Sequence, residues 1–225
     1  MSTENQHDTG FEISATLTKA EGFYHKNKKN LGIGLGALAV LVGGYFGYRT
    51  LIIAPMEDEA QGQMFVAQRY FEADSLKKAI DGDGNNVGFK SIVDDYGSTN
   101  AGNLAKYYLG LAYLKSGQYE AAIESLKDYS AKDNMTGPLA TGAIGDAYIE
   151  LGNVEEGVSN YLSASKEENS FTAPLFLKKA GSAYESQNKF SEALDLYKKI
   201  KKEFPESVEG GEIDKYIARA EARIN

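Results

Sequence analysis

Three times in this chain a small or apolar residue, a glycine and, three positions later, a tyrosine recur: Leu109-Gly110-x-x-Tyr113, Ile144-Gly145-x-x-Tyr148 and Ala180-Gly181-x-x-Tyr184. The glycines stand 35 and then 36 residues apart. A period of that size arises when a helical hairpin cannot bury its apolar face alone and stacks on copies of itself, so the spacing predicts an α-solenoid. Such a stack offers an extended surface for binding other proteins rather than a pocket for chemistry.

The rest of each repeat reads as helix, tight turn, helix. Four residues after the first two tyrosines comes a second glycine, Gly117 or Gly152, with Asn188 in that place in the third copy; Tyr119, Val154 or Phe190 follows two residues later. Glycine and asparagine suit the left-handed residue with which helices commonly end. The second segments carry Ala122-Ile123-x-x-Leu126, Gly157-Val158-x-x-Tyr161 and Ala193-Leu194-x-x-Tyr197, each an apolar pair with a partner at helical spacing. Pro205 closes the third copy. These residues resemble the tetratricopeptide repeat (TPR) family, whose consensus has Leu-Gly-x-x-Tyr in the first helix, alanine and an aromatic in the second, and proline at the end. Gly157 departs from that alanine and the chain has no tryptophan. A small residue at the glycine and alanine positions still lets two backbones approach closely.

From Leu31 to Tyr48 no charged residue occurs, and the apolar run resumes after Arg49 with Leu51-Ile52-Ile53. Residues 31–53 would span about 35 Å as a helix, enough for a hydrocarbon core of roughly 30 Å, with Arg49 reaching the interface. The reading is a transmembrane helix. A cleaved signal peptide is the rival, but about 30 mostly polar residues precede the run and no Ala-x-Ala site follows it. A lipoprotein would need a cysteine to carry its lipid, and the chain has none. Lys19, Lys26, Lys28 and Lys29 precede the span and Glu57, Asp58 and Glu59 follow it, which predicts a cytoplasmic N-terminus and an exported C-terminal part. Gly32, Gly36, Gly43 and Gly47 fall within roughly 60° of one another around the helix, a smooth face for contact with another membrane helix.

Beyond residue 53 the chain holds 19 basic and 28 acidic residues, a balance of −9, which excludes a nucleic-acid-binding surface. Both histidines, His7 and His25, precede the span, and no phosphate loop, zinc spacing or nucleophile elbow is present, so neither catalysis nor a metal or organic cofactor is expected. Asp81, Asp83 and Asn85 superficially suggest a calcium loop. Asn86 and Ile92 stand where such a loop needs glycine and glutamate, so Asp81–Gly88 reads as a polar turn.

The predicted plan is all-α. Residues 1–30 form a cytoplasmic tail, polar at 1–10, with a short amphipathic helix from Glu12 to Lys29 striped by Ile13, Leu17, Ala20 and Tyr24. Residues 31–53 form the transmembrane helix and 57–225 the solenoid. Within it a degenerate first repeat covers 57–97, with one long helix from Glu57 to Ile80 paired with a shorter one from Phe89 to Tyr96. Regular hairpins at about 101–131, 137–167 and 172–203 and a capping helix at 209–224 complete it.

The TPR resemblance implies that the first helices line the binding groove, chiefly through repeat positions 2, 5, 9, 12 and 13. These fall on Leu104, Tyr107, Leu111, Leu114 and Lys115; on Leu139, Gly142, Asp146, Ile149 and Glu150; and on Leu175, Lys178, Ser182, Glu185 and Ser186. The groove is then apolar and aromatic at one end and mixed in charge at the other. The Lys and Asn set with which some family members clamp a carboxylate is missing. Part of the groove is alternatively covered by the N-terminal or capping helix.

A lysine-rich segment, one Gly-rich span, a connecting helix and repeats ending at 225 resemble the YfgM-type proteins, ancillary subunits of the bacterial Sec translocon. The residues from Ala60 to Tyr70 and the run Asn103-Leu-Ala-Lys-Tyr-Tyr-Leu-Gly110 carry that similarity. It implies an inner-membrane protein with periplasmic repeats, associated with Sec translocon subunits and a membrane-anchored PpiD-type chaperone, and touching membrane lipid but no nucleic acid or small-molecule substrate. An envelope-assembly or stress-regulatory interaction protein and an organelle import receptor of inverted topology are the alternatives.

Overall fold

The computed structural model describes residues 6–166 and 169–224, with side chains from Tyr24 onward, and every element among them is a helix. The chain divides after Pro55 into two compact units. The first consists of α1 (Gln6–Tyr48) and a π-helical turn, Arg49–Ile53. α1 passes without a break from the lysine-rich segment into the apolar one, so residues 12–29 do not form a helix of their own; no proline precedes Pro55 to interrupt them. The polar residues 1–5 and the stripe expected on Ile13, Leu17 and Ala20 lie outside the residues so described. The π turn has a local cause. Pro55 has no amide hydrogen and its ring crowds the carbonyl four residues back; the Ala54 N–H reaches Arg49 O, five residues back, and the wider turn makes room. One helix among the described residues, containing this stretch, is long and apolar enough to cross a membrane, and none of its apolar part is buried.

The second unit holds all but the first two residues of α2 (Ala54–Glu72), then α3 (Leu76–Asp81), α4 (Phe89–Tyr96), α5 (Asn100–Lys115), α6 (Tyr119–Lys127), α7 (Thr136–Glu150), α8 (Val154–Ala164), α9 (Thr172–Ser186), α10 (Phe190–Glu203) and α11 (Val208–Ile224). The single helix expected from 57 to 80 is two helices. Asp74 adopts the left-handed conformation, as do Gly117, Gly152 and Asn188. At each of these four turns the next residue, Ser75, Gln118, Asn153 or Lys189, donates its N–H to the carbonyl of a tyrosine: Tyr70, Tyr113, Tyr148 or Tyr184, at 2.8–2.9 Å. The left-handed residue itself donates to Phe71, Leu114, Ile149 or Glu185. This double bond pattern terminates a helix by satisfying carbonyls that have lost their intrahelical partners. The first hairpin is therefore in phase with the others: Ala67-x-x-Tyr70 matches Gly110-x-x-Tyr113, and Ala79-Ile80 matches Ala122-Ile123. Its second helix is split into α3 and α4 by the turn Gly82–Gly88.

α6, α8 and α10 each pack on their own first helix and on the first helix that follows, α3 and α4 pack on α5, and α5, α7, α9 and α11 lie side by side. The core is correspondingly a chain of clusters that bridge neighbours. Ala60, Met64 and Ala67 meet Ile80, Phe89, Ile92 and Ala105; Leu126 meets Ile144; Tyr161 meets Phe176; Tyr197 meets Leu177, Ile200 and Ile213. The repeated glycine is the hole into which the second helix puts its large side chain. A Cβ on Gly110 would stand 2.5 Å from Leu126 Cγ, one on Gly145 2.8 Å from the Tyr161 ring, and one on Gly181 would overlap the Tyr197 ring. Interiors packed to crystal density have no slack for that methyl group.

Glu57 ties the start of α2 to the start of α5. Its Oε2 accepts from Asn100 N at 2.5 Å and its Oε1 from Ala101 N at 3.2 Å, capping a helix 43 residues away in the chain. Glu57→Ala is expected to cost about 1 kcal/mol, the usual scale of a lost helix cap, and to speed amide exchange in α2 and the first turn of α5. Unchanged protection there would show that the cap contributes nothing.

Candidate functional site

The face built from α5, α7, α9 and α11 carries most of the residues expected to line a groove. Leu104, Tyr107, Leu111 and Leu114 follow one stripe of α5, each half-buried, Leu104 against the first core cluster and the others against the second. Tyr107 packs edge-on to Tyr108 and tilted against Tyr129, with ring centroids 5.7 and 5.3 Å apart, and burial pushes its hydroxyl pKa above the usual range. Leu139, Ile149 and Leu175 are half-buried against the third cluster. Ile149 also accounts for the departure at Gly157: a Cβ there would lie 2.5 Å from Ile149 Cδ1. Gly142 does not line the face. It is buried beneath the Phe176 ring, where α7 and α9 approach, and has no surface to offer.

The polar members of the set are engaged internally. Lys115 donates to Asp74 at 2.7 Å and lies over the Phe71 ring, 5.1 Å from its centroid. Asp146 accepts from the Tyr161 hydroxyl at 2.5 Å and from Lys179 at 2.7 and 2.8 Å, which joins α7, α8 and α9 through one carboxylate. Burial and this bond to Asp146 raise the Tyr161 pKa well above that of a free tyrosine. Arg219 forms a two-pronged pair with Glu185, and Lys178 pairs with Glu209 at 3.6 Å. Sequence reasoning missed these pairings because their partners lie 15 to 41 residues apart in the chain. It could have found the first hairpin's phase, since Ala67-x-x-Tyr70 and Ala79-Ile80 stand in the same register as the recognised repeats.

Gly32, Gly36, Gly43 and Gly47 all lie on α1, and a Cβ on any of them would meet nothing within 4 Å. Among the described residues no group of three His, Cys, Asp or Glu side chains is placed to hold a metal ion. Asp83 is occupied otherwise: Oδ2 accepts from the Tyr70 hydroxyl at 2.7 Å and Oδ1 from Asn86 N and Asn85 N at 2.8 and 3.0 Å. Those donors hold its pKa down at about 2.

The comparisons agree with this geometry. The family model for the tetratricopeptide repeat matches residues 104–133 and 176–207. Two crystal structures of nearly identical TPR-like repeats described as a kinesin light chain of Podosopora anserina, one of them a point variant, are similar to the chain at a TM-score of 0.58. They share 17% identity over 74% of this chain and 87% of theirs, a likeness of fold. No curated protein matches the sequence significantly. The chain thus carries tetratricopeptide repeats and folds as an all-helical TPR-like solenoid. That architecture typically serves as a non-enzymatic scaffold whose partners are proteins.

Proposed function

We propose that this is a single-pass scaffold of the bacterial inner membrane, with residues 1–30 in the cytoplasm, residues 31–53 in the bilayer and the repeats in the periplasm. There it joins the Sec protein-export channel to a PpiD-type membrane-anchored chaperone and assists newly exported chains. One observation carries the reading: an unburied apolar helix precedes, in the chain, a TPR-like stack whose α5 stripe leaves Leu104, Tyr107, Leu111 and Leu114 part-open. The choice of partners rests on the resemblance to YfgM-type proteins. Crosslinking in native membranes is expected to recover channel and chaperone subunits, and recovery of neither overturns the proposal. Replacing Gly36 and Gly43 together by leucine is expected to lose the partners held through the membrane, because two bulky side chains would hold a neighbouring helix off the open glycine face. Retention of every partner would remove the glycines from the contact. Protease access to the repeats from the outer face of spheroplasts tests the orientation.

A second reading is an envelope-assembly or stress-regulatory interaction protein not tied to the channel. The uninterrupted α1 favours it, since one continuous helix joins the lysine-rich segment to the apolar one. Deleting residues 1–28 would then abolish function while leaving partner binding intact.

A further inference from the structure

The repeat unit exposes few large apolar side chains: among its described residues, Phe65, Met135, Phe171, Val208 and Ile224. Three of them share one structural position. Met135 is the residue that opens α7, Phe171 the residue that opens α9, and Val208 the first residue of α11, and they are 42, 61 and 80% exposed. Because α7, α9 and α11 lie side by side, the three form a row along the edge where these helices begin. Asn169 Nδ2 donates to Asn134 O at 3.2 Å and joins two of the loops that carry the row. Leu139 and Leu175, one helical turn beyond Met135 and Phe171, are half-buried on the same side, so the row widens into the first-helix face. A single exposed apolar residue needs no explanation, but a row in register marks a contact surface.

Charge selects the occupant. Three basic side chains of the first-helix face are already neutralised: Lys178 by Glu209, Lys179 by Asp146 and Arg219 by Glu185. Segments 128–137, 165–173 and 204–211, which carry the row, hold six carboxylates in sequence against Lys132 and Lys166; Glu209 is the partner of Lys178, and among the described residues Asp128 and Glu206 form no ion pair. The helix N-termini do not offset this by inviting an anion, for Asp133, Asn169 and Ser207 already accept from their first N–H groups. An acidic segment or an anionic lipid surface meets like charge here, and a basic segment meets its complement.

We propose that this edge is a docking ledge for an extended polypeptide segment of a partner protein, with apolar side chains separated by Lys or Arg. The inference rests on the reading of the chain as an interaction scaffold and adds the chemistry of what it holds. Packed helices sit about 8–10 Å apart, and a chain in the polyproline II conformation, with three residues per turn and about 3.1 Å per residue, covers that distance in one turn, so an apolar side chain at every third position stays on one side and meets Met135, Phe171 and Val208 in turn.

The test uses the full chain in nanodiscs of zwitterionic lipid and a fluorescein-labelled dodecapeptide with leucine at every third position and lysine and serine between, with binding followed by anisotropy against empty discs. Saturable binding is expected, at least tenfold weaker for the variant carrying Met135→Ser, Phe171→Ser and Val208→Ser, and at least tenfold weaker when glutamate replaces the peptide's lysines. Undiminished affinity of the triple variant overturns the proposal. So does a glutamate peptide that binds as tightly, or binding removed by Leu111→Ser but not by the triple variant. The replaced side chains are exposed, so circular dichroism should match the parent; Phe171→Ser alone gives the same readout should the triple variant not fold. Since the probe is synthetic and the channel is absent, a negative result here leaves the crosslinking experiment on translocon subunits standing, and the reverse.

Discussion

Replacing Tyr197 by alanine is expected to lower the unfolding free energy by about 3–5 kcal/mol, the cost of emptying a well-packed aromatic site, which is a large part of the margin of most domains. The side chain is fully buried, its ring fills the hole left by Gly181, and it packs against Tyr216 at a centroid distance of 5.5 Å, so the cavity opens between α9, α10 and α11. Tyr197→Phe has the opposite expectation. The hydroxyl is buried without a hydrogen bond of good geometry; Ser182 and Arg219 approach it without the alignment a full bond needs. Removing a polar group that is already unsatisfied is neutral or stabilising. At the equivalent place one repeat earlier the sign reverses: Tyr161→Phe deletes a 2.5 Å bond to Asp146 and is expected to cost about 1–2 kcal/mol. Urea unfolding followed by circular dichroism ranks the three variants. Equal losses for the two Tyr→Phe changes would show that the two hydroxyls are not in different environments.

Asp146→Ala should be the second most damaging change, at about 2–3 kcal/mol, because it leaves the Lys179 ammonium and the Tyr161 hydroxyl without their shared acceptor. Both side chains of the Lys179–Asp146 pair retain about a third of their exposure, so Lys179 can turn to water and the loss stays below that of a fully buried pair. Lys179→Met in the Asp146→Ala background is expected to recover part of the loss, since the methionine removes an ammonium left without its carboxylate and keeps packing on the Tyr161 and Phe176 rings. A double variant no more stable than Asp146→Ala would deny the coupling. The same site fixes a pH response. The Tyr161 pKa is raised in the folded state, so its contribution is complete below the ordinary tyrosine pKa of about 10 and is lost as the pH climbs above it, where the unfolded chain releases the proton and the folded one does not. Stability should fall more steeply above that pH in the parent than in Tyr161→Phe.

The hairpins were legible because their signals are local. Gly110, Gly145 and Gly181 recur with their tyrosines inside single helices, and Gly117, Gly152 and Asn188 mark turns that steric limits on left-handed backbone nearly dictate. The first hairpin escaped the same reading because Ala67 stands for the glycine and Asp74 for the turn residue, both outside the recognised pattern though compatible with the packing. The expected groove was legible by position and not by availability. Leu104, Tyr107, Leu111 and Leu114 keep open surface, whereas Gly142 lies beneath Phe176 and Asp146 is held by Tyr161 and Lys179, and no spacing within α7 announces either neighbour.

By itself the sequence determined the all-helical repeat, the phase of its three regular hairpins and the apolar span, since periodicity, backbone sterics and hydropathy act over a few residues. Tertiary structure alone decided which side chain fills each glycine's hole, which charges are neutralised within the stack, and that Met135, Phe171 and Val208 share one edge. Those outcomes depend on contacts between residues 15 or more apart in the chain, which only the packing of helix on helix and of hairpin on hairpin brings together.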